Sequence, residues 1–173
     1  MTAGSSILVG FTSKTVWVQV QGKGSFQNSP GLKAFAREMI QRGHRHFAVD
    51  LADCPTMDST FMGTLAGVAL RLRDLGEGEL RVVNPNMRNA ELLMGLGLDQ
   101  VLLLEREPVR VPCATTADPM APHQSIDKRA VTQTMLGAHE ALCESDANNR
   151  ARFKDVLEYL KEDLQRQGAI PAK

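Results

Sequence analysis

Short apolar runs at the start of the chain predict a β-hairpin. Residues 7–12 (ILVGFT) and 16–20 (VWVQV) are rich in β-branched and aromatic side chains, and Ser13 and Lys14 lie between them. Two such runs joined by a short polar segment are typical of paired strands. The stretch that follows, 21–31 (QGKGSFQNSPG), is dense in Gly, Asn, Ser and Pro, so we expect a loop there.

Apolar residues then alternate between helical spacing and compact runs. From Leu32 to Ile40 they share one helical face, and Gly43 ends the predicted helix. The next predicted elements are a strand at 46–52, a helix at about 59–75, a strand at 79–85, a short helix at 89–97 and a strand at 100–105. The order β-β-α-β-α-β-α-β predicts an α/β domain over 1–106.

The rest of the chain has a different pattern. Residues 107–127 contain four prolines and almost no periodicity, so we interpret them as a linker. Two amphipathic helices are predicted at about 128–144 and 148–167, as a helical hairpin extension over 128–173. Because two helices bury little apolar surface by themselves, they must pack on the α/β domain, on a second copy or on a partner. The sequence leaves these alternatives open, and we expect a homodimer formed through these helices.

Composition and charge narrow the class of protein. The 173 residues suffice for one domain plus the extension, and 43% hydrophobic residues predict a packed core. Twenty Lys and Arg balance twenty Asp and Glu, so we expect no nucleic acid partner and no general attraction to an anionic membrane. No apolar run is long enough to insert as a transmembrane helix, and the first ten residues do not resemble a signal peptide.

The cysteines favour a reducing compartment. Cys54, Cys113 and Cys143 are odd in number and widely spaced, and no pair has the C-x-x-C spacing. This pattern fits neither a disulfide framework nor a zinc knuckle. We expect reduced thiols in a cytoplasmic protein.

The candidate chemistry lies between the strand at 46–52 and the helix at 59–75, where Asp58, Ser59 and Thr60 follow one another. One interpretation is structural, because an Asp before a helix accepts hydrogen bonds from the free N–H groups of the first turn. The other starts from the positive end of the helix dipole, which accepts an anion well. A phosphorylated hydroxyl there would be tolerated by the fold and felt by a docked partner. The residues alone leave both interpretations open.

A longer pattern around this turn resembles a known family. The turn, from Asp58 to Leu65, has the form D-S-[ST]-x-x-G-x-L, a later strand ends in Asn84 and Pro85, and LMGLGLDQVL follows at 93–102. In their order and spacing these features resemble the STAS domain, the fold of bacterial anti-sigma factor antagonists. The resemblance covers roughly residues 7–105.

The resemblance implies a small mixed sheet packed with helices, with the C-terminal helices outside the family core. It also implies that Ser59, or alternatively Thr60, is phosphorylated by a serine kinase that is itself an anti-sigma factor. Asp58 would then be the acid that shapes the site. The unphosphorylated protein would bind the kinase and free the sigma factor, and a PP2C-type phosphatase would reset it.

The site also departs from the family pattern. Phe61 stands where members usually have Gly, so it is expected to change the docking surface or to fill a pocket from within; Met62 and Gly63 are the next neighbours of the site. The loop at 22–31 has no acid, whereas many phosphorylated members have an Asp there. Some STAS domains are never phosphorylated. The alternative function is therefore a scaffold or a subunit of a transport complex.

Other patterns give weaker indications. His139 and Cys143 are four residues apart on a predicted helix and could share a metal, but no third ligand is spaced for it. No nucleophile–base pair or phosphate-binding loop stands out in the sequence. We therefore expect a protein-binding regulator without metal or cofactor, and not an enzyme.

Overall fold

The computed structural model describes residues 4–111, 118–119 and 127–169. The strands are β1 (Ser6–Phe11), β2 (Val16–Gln21), β3 (His46–Asp50), β4 (Glu79–Val83), β5 (Leu103–Leu104) and β6 (Asp118–Pro119). The helices are α1 (Ser29–Gln41), α2 (Ser59–Asp74), α3 (Met87–Gly95), α4 (Lys128–Ser145), α5 (Asn148–Arg152) and α6 (Lys154–Ala169). Among the described residues, no helix combines the length and the apolar character that crossing a membrane requires.

The six strands form one mixed sheet in the order β5-β4-β3-β2-β1-β6. β1 pairs antiparallel with β2 and with β6, whereas β2, β3, β4 and β5 are parallel neighbours. In the central register Val18 lies opposite Val49, which lies opposite Val82, and all three are buried. The predicted α/β fold, a small mixed sheet packed with helices, is confirmed.

The strand predicted at 100–105 is much shorter than expected. Gly97 adopts a left-handed conformation (φ 71°) after α3, and a 3-10 turn at Leu98–Gln100 follows it. The amide of Leu102 donates to the carbonyl of Leu98 at 2.8 Å, and both side chains are buried. These apolar residues therefore fill the core from a helical turn, a case that periodicity cannot separate from a short buried strand.

Part of the predicted linker belongs to the sheet. In β6, Pro119 lies opposite Leu8 and Asp118 lies opposite Val9 of β1. The remainder of the predicted linker between 112 and 126 lies outside the described residues, as does Cys113.

Helix α2 is buried along almost its whole surface. Its buried residues include apolar side chains and also Thr60, Gly63 and Thr64. A helix that packed only on a sheet would bury a single stripe. The additional burial exists because α4 packs along α2, which also contacts α1 and β4.

The C-terminal helices fold back onto the α/β domain. α4 packs on α2, α6 packs on α4, and Leu142 and Leu160 of their predicted apolar faces are buried. The helix predicted at 148–167 is divided into α5 and α6 at Phe153, whose ring packs edge-on against His139 with 5.1 Å between centroids. A single chain therefore satisfies the apolar face of α4, and self-association stays a prediction.

Candidate functional site

Two loops are held together at the start of α2. The amide of Gly24 donates to the carbonyl of Thr56 at 3.0 Å, and the amide of Asp58 donates to the carbonyl of Gly24 at 2.9 Å. The chain that leaves β3 is thereby fastened to the loop that leaves β2. This pairing fixes where α2 begins.

Asp58 serves both loops with one carboxylate. Its Oδ1 accepts from the amide of Phe61 at 2.8 Å, which caps α2. Its Oδ2 accepts from the amide of Phe26 at 2.8 Å, in the loop after β2. Asp58 therefore caps α2, and the same contacts shape the surface next to Ser59.

Ser59 and Thr60 differ sharply in exposure. The side chain of Thr60 is buried, with the residue only 3% exposed, whereas Ser59 is half-buried. Ser59 lines an open cleft of about 350 Å³ between α2, α3 and the α5–α6 junction. Thr60 is not among the residues that line this cleft.

The hydroxyl of Ser59 contacts a histidine from the C-terminal extension. Ser59 Oγ and His139 Nε2 are 3.0 Å apart, and His139 Nδ1 is 2.7 Å from the carbonyl oxygen of Met135. Because that carbonyl can only accept, Nδ1 carries a proton and donates to it. In the neutral ring Nε2 is then an acceptor, and the Ser59 hydroxyl donates to it.

Apolar and polar patterns along the chain do not indicate this partner of Ser59. His139 is 3% exposed and lies beside Ala138 and Leu142, on the side of α4 that faces the domain. A polar residue on the apolar side of an amphipathic helix was the available signal, since a buried polar group needs a hydrogen-bond partner. Both ring nitrogens of His139 have a protein partner, and no group of three suitable ligands for a metal occurs among the residues described.

Phe61 fills space inside the domain. It is fully buried, and a Cβ at Gly24 would overlap its ring. Of the two roles considered for this aromatic residue, the structure shows the internal one. Met62 is also buried, and a Cβ at Gly63 would overlap the carbonyl oxygen of Ala138 in α4.

The cleft beside Ser59 carries more positive than negative charge. Arg88 and Arg152 line it together with one acid, Glu91. Arg152 also donates to the carbonyl of Gly95 at 3.0 Å, which places its guanidinium near α3. The N-terminus of α2 and these two arginines attract an anion near Ser59, and the carboxylates of Glu91 and the neighbouring Asp58 oppose them.

Cys54 precedes the site in the sequence. It is buried in the segment that leads to α2, and its Sγ donates to the carbonyl of Thr56 at 3.3 Å. Burial raises the pKa of Cys54, because a thiolate is poorly solvated there. Cys54 and Cys143 are both free thiols.

The fold is thus a mixed sheet packed with helices, and the site is a hydroxyl at the start of the helix that follows a central strand. The family model described as "Mlab, STAS domain" matches residues 7–105, more than half of the chain. The chain therefore belongs to the STAS domain family. No curated protein matches the sequence.

Solved structures show the same fold at low sequence identity. A candidate anti-sigma factor antagonist of Thermotoga maritima (tm1081) is 18% identical with a TM-score of 0.52, over 56% of this chain and 82% of its own. An anti-sigma factor antagonist of Mycobacterium paratuberculosis is 19% identical with a TM-score of 0.50, over 62% of this chain and 92% of its own. The family match ends at residue 105, so the C-terminal helices lie outside it.

Proposed function

We propose that this protein is a bacterial, cytoplasmic regulator of the anti-sigma factor antagonist type, switched by phosphorylation of Ser59. In this proposal a serine kinase that is also an anti-sigma factor binds the start of α2. The kinase transfers the terminal phosphoryl group of ATP to Ser59 Oγ, with loss of the hydroxyl proton and release of ADP. A PP2C-type phosphatase hydrolyses the ester and restores the hydroxyl.

The observation that carries the proposal is the placement of Ser59. It is a half-buried hydroxyl that borders a cleft, directly after the capping residue Asp58, whereas Thr60 is buried. Membership of the STAS family and a fold shared with two proteins described as anti-sigma factor antagonists support the regulatory role.

The electrostatics support a tolerated phosphate. A phosphoserine carries about −1.5 to −2 charges at neutral pH and three strong acceptor oxygens. The start of α2 and the arginines Arg88 and Arg152 can stabilise such a group within the chain itself. A partner that docks there with a carboxylate or an apolar patch would meet repulsion and a desolvation cost, so phosphorylation would change binding without unfolding the domain.

The test is phosphorylation of the full chain by candidate anti-sigma serine kinases from the same genome, with Mg²⁺ and ATP. We expect one phosphate at Ser59, located by peptide mass spectrometry, and none in Ser59→Ala. Thr60→Val is the matched control and should be phosphorylated as the parent is. An unphosphorylated Ser59 with every candidate kinase, or equal phosphate incorporation in Ser59→Ala, would overturn the proposal.

A second candidate function is a STAS scaffold, or a subunit of a transport complex, that is never phosphorylated. The observation that favours it is the hydrogen bond between Ser59 and His139, which already engages the hydroxyl within the chain. Neighbouring genes separate the two functions cheaply. Kinase and phosphatase genes support the switch, and transporter genes support the scaffold.

A further inference from the structure

Three small residues line one side of α2, and α4 covers them. Ser59, Gly63 and Gly67 are spaced four residues apart, so they lie along one face of the helix. On the facing helix, His139 contacts Ser59, the backbone at Ala138 lies against Gly63, and Ala141 lies against Gly67. We call these three residues of α2 the small-residue face.

The closeness of the two helices depends on one position of this face. A Cβ at Gly63 would overlap the carbonyl oxygen and carbon of Ala138, so the backbones touch there. A Cβ at Gly67 would lie 3.7 Å from the Cβ of Ala141, which is an ordinary van der Waals contact. With the helices at this distance, alanine therefore clashes at position 63 and fits at position 67, one turn later.

Contacts beyond the small-residue face hold the extension in place. The buried amide of Asn149 donates to the carbonyls of Leu96 (2.9 Å) and Leu142 (2.8 Å), and so joins the extension to the turn after α3. Arg152 adds its bond to the carbonyl of Gly95. These bonds position α4 over the end of α2 that begins at Ser59.

We propose that α4 acts as an internal competitor for the partner-binding surface of this STAS domain. While α4 is in place, Gly63 is buried against it, Ser59 and Gly67 are half-buried beside it, and the Ser59 hydroxyl is bonded to His139. A kinase that binds the start of α2 must displace α4, and the released face would accept a helix that, like α4, presents small side chains. This inference rests on the proposed function, because it assumes that Ser59 is the group the partner acts on.

Competition between α4 and the kinase predicts the apparent affinity of the kinase and the rate of phosphorylation. When only a fraction of molecules has α4 released, the apparent affinity and the rate of phosphorylation are lowered by that fraction. Any change that loosens α4 and spares the sheet should therefore raise the rate of Ser59 phosphorylation by the same factor.

The experiment compares four full-length proteins: the parent, Gly63→Ala, Gly67→Ala and His139→Ala. Ala is favoured over Gly inside a helix, so neither glycine variant weakens α2 itself. Hydrogen–deuterium exchange measures the opening of α4, with β3 and β4 as an internal reference for the integrity of the sheet. The second readout is the initial rate of Ser59 phosphorylation by the kinase found as described above.

Because overpacking against a backbone forces the helices apart, we expect α4 in Gly63→Ala to exchange about tenfold faster or more than in the parent. His139→Ala removes the contact from the other helix and should act in the same direction. Both variants should be phosphorylated faster, by the same factor by which exchange in α4 is accelerated. Gly67→Ala should stay within about twofold of the parent in both readouts.

The inference is overturned if α4 is unprotected in the parent, if neither variant loosens it, or if it loosens without faster phosphorylation. Failure of the proposed function is a different result. In that case Ser59 takes up no phosphate in any of the four proteins, whatever the exchange of α4.

Discussion

Ser59 and His139 form the contact on which the site depends at the scale of single residues. Ser59→Ala leaves Nε2 of a buried histidine without its partner, and such a loss costs about 1–3 kcal/mol of unfolding free energy. Ser145→Ala is the matched control, because Ser145 Oγ bonds only the carbonyl of Ala141 in its own helix. We expect the control to change stability by less than about 0.5 kcal/mol.

Urea unfolding of the two serine variants measures this difference. Equal midpoints for Ser59→Ala and the parent would mean that the interhelical hydrogen bond contributes nothing in solution. In that case His139 is satisfied by water, and the docking of α4 over Ser59 needs another explanation.

Asp58 accepts a second hydrogen bond, from the amide of Phe26, in addition to the one that a simple cap accepts. We expect Asp58→Ala to lose about 2 kcal/mol, at the upper end of what capping residues contribute, because Phe26 and Phe61 both lose an acceptor. Asp127→Ala, at the start of α4, removes one exposed cap bond of 3.2 Å and should lose about 0.5–1 kcal/mol. Thermal or urea unfolding compares them, and the reverse order would contradict this account of Asp58.

Cys54 gives a chemical measure of burial next to the site. Its pKa is raised by burial, so the thiolate that reacts with alkylating reagents is scarce in the folded protein. Because the folded-state pKa lies above the unfolded one, the contribution of this thiol to stability is full below the unfolded pKa and declines as the pH rises past it. Iodoacetamide labelling at pH 8, followed by peptide mass spectrometry, should modify Cys54 only on unfolding; rapid labelling of the folded chain would contradict the buried position.

At the scale of elements, the extension depends on Asn149. Asn149→Ala leaves the carbonyl of Leu96 without its buried donor, whereas the carbonyl of Leu142 keeps the amide of Asp146; we expect a cost of about 1–3 kcal/mol. Asn148→Ala changes the exposed neighbour and should cost less than about 0.5 kcal/mol. Hydrogen exchange should show faster exchange in α4–α6 and an unchanged sheet for Asn149→Ala, whereas equal exchange in the two variants would contradict the anchoring role.

The sequence indicated most helices and strands because their apolar spacing is regular. It missed the packing of α4 on α2, because the residues of α2 that meet α4 are Ser59, Gly63 and Gly67. Such residues look polar or neutral in a hydrophobicity pattern, yet small side chains are what let two helices approach closely. Burial by close approach therefore leaves little trace in apolar periodicity.

At the scale of the whole molecule, the site joins parts that are far apart in sequence. Asp58 and Ser59 could be placed from a short motif, since a cap and the first turn of a helix are local features. His139 is 80 positions from Ser59, so its role depends on how the extension packs. An amphipathic face shows that a helix needs a partner, but it does not say which surface the partner is.

The extension also changes what the STAS family fold implies for this chain. The family match ends at residue 105, and α4 covers the face of α2 that starts at the proposed phosphorylation site. In the proposed function, binding of the kinase and packing of the extension would draw on one surface. Which of the two occupies that surface would then set the state of this protein.

Hydrogen–deuterium exchange of the full chain, with and without the kinase that phosphorylates it, tests this account most directly. We expect the first turns of α2 to remain protected in the complex, now by the kinase, while the amides of α4 lose protection and those of β3 and β4 do not change. A complex in which α4 keeps its full protection and the kinase protects a surface away from α2 would contradict the account.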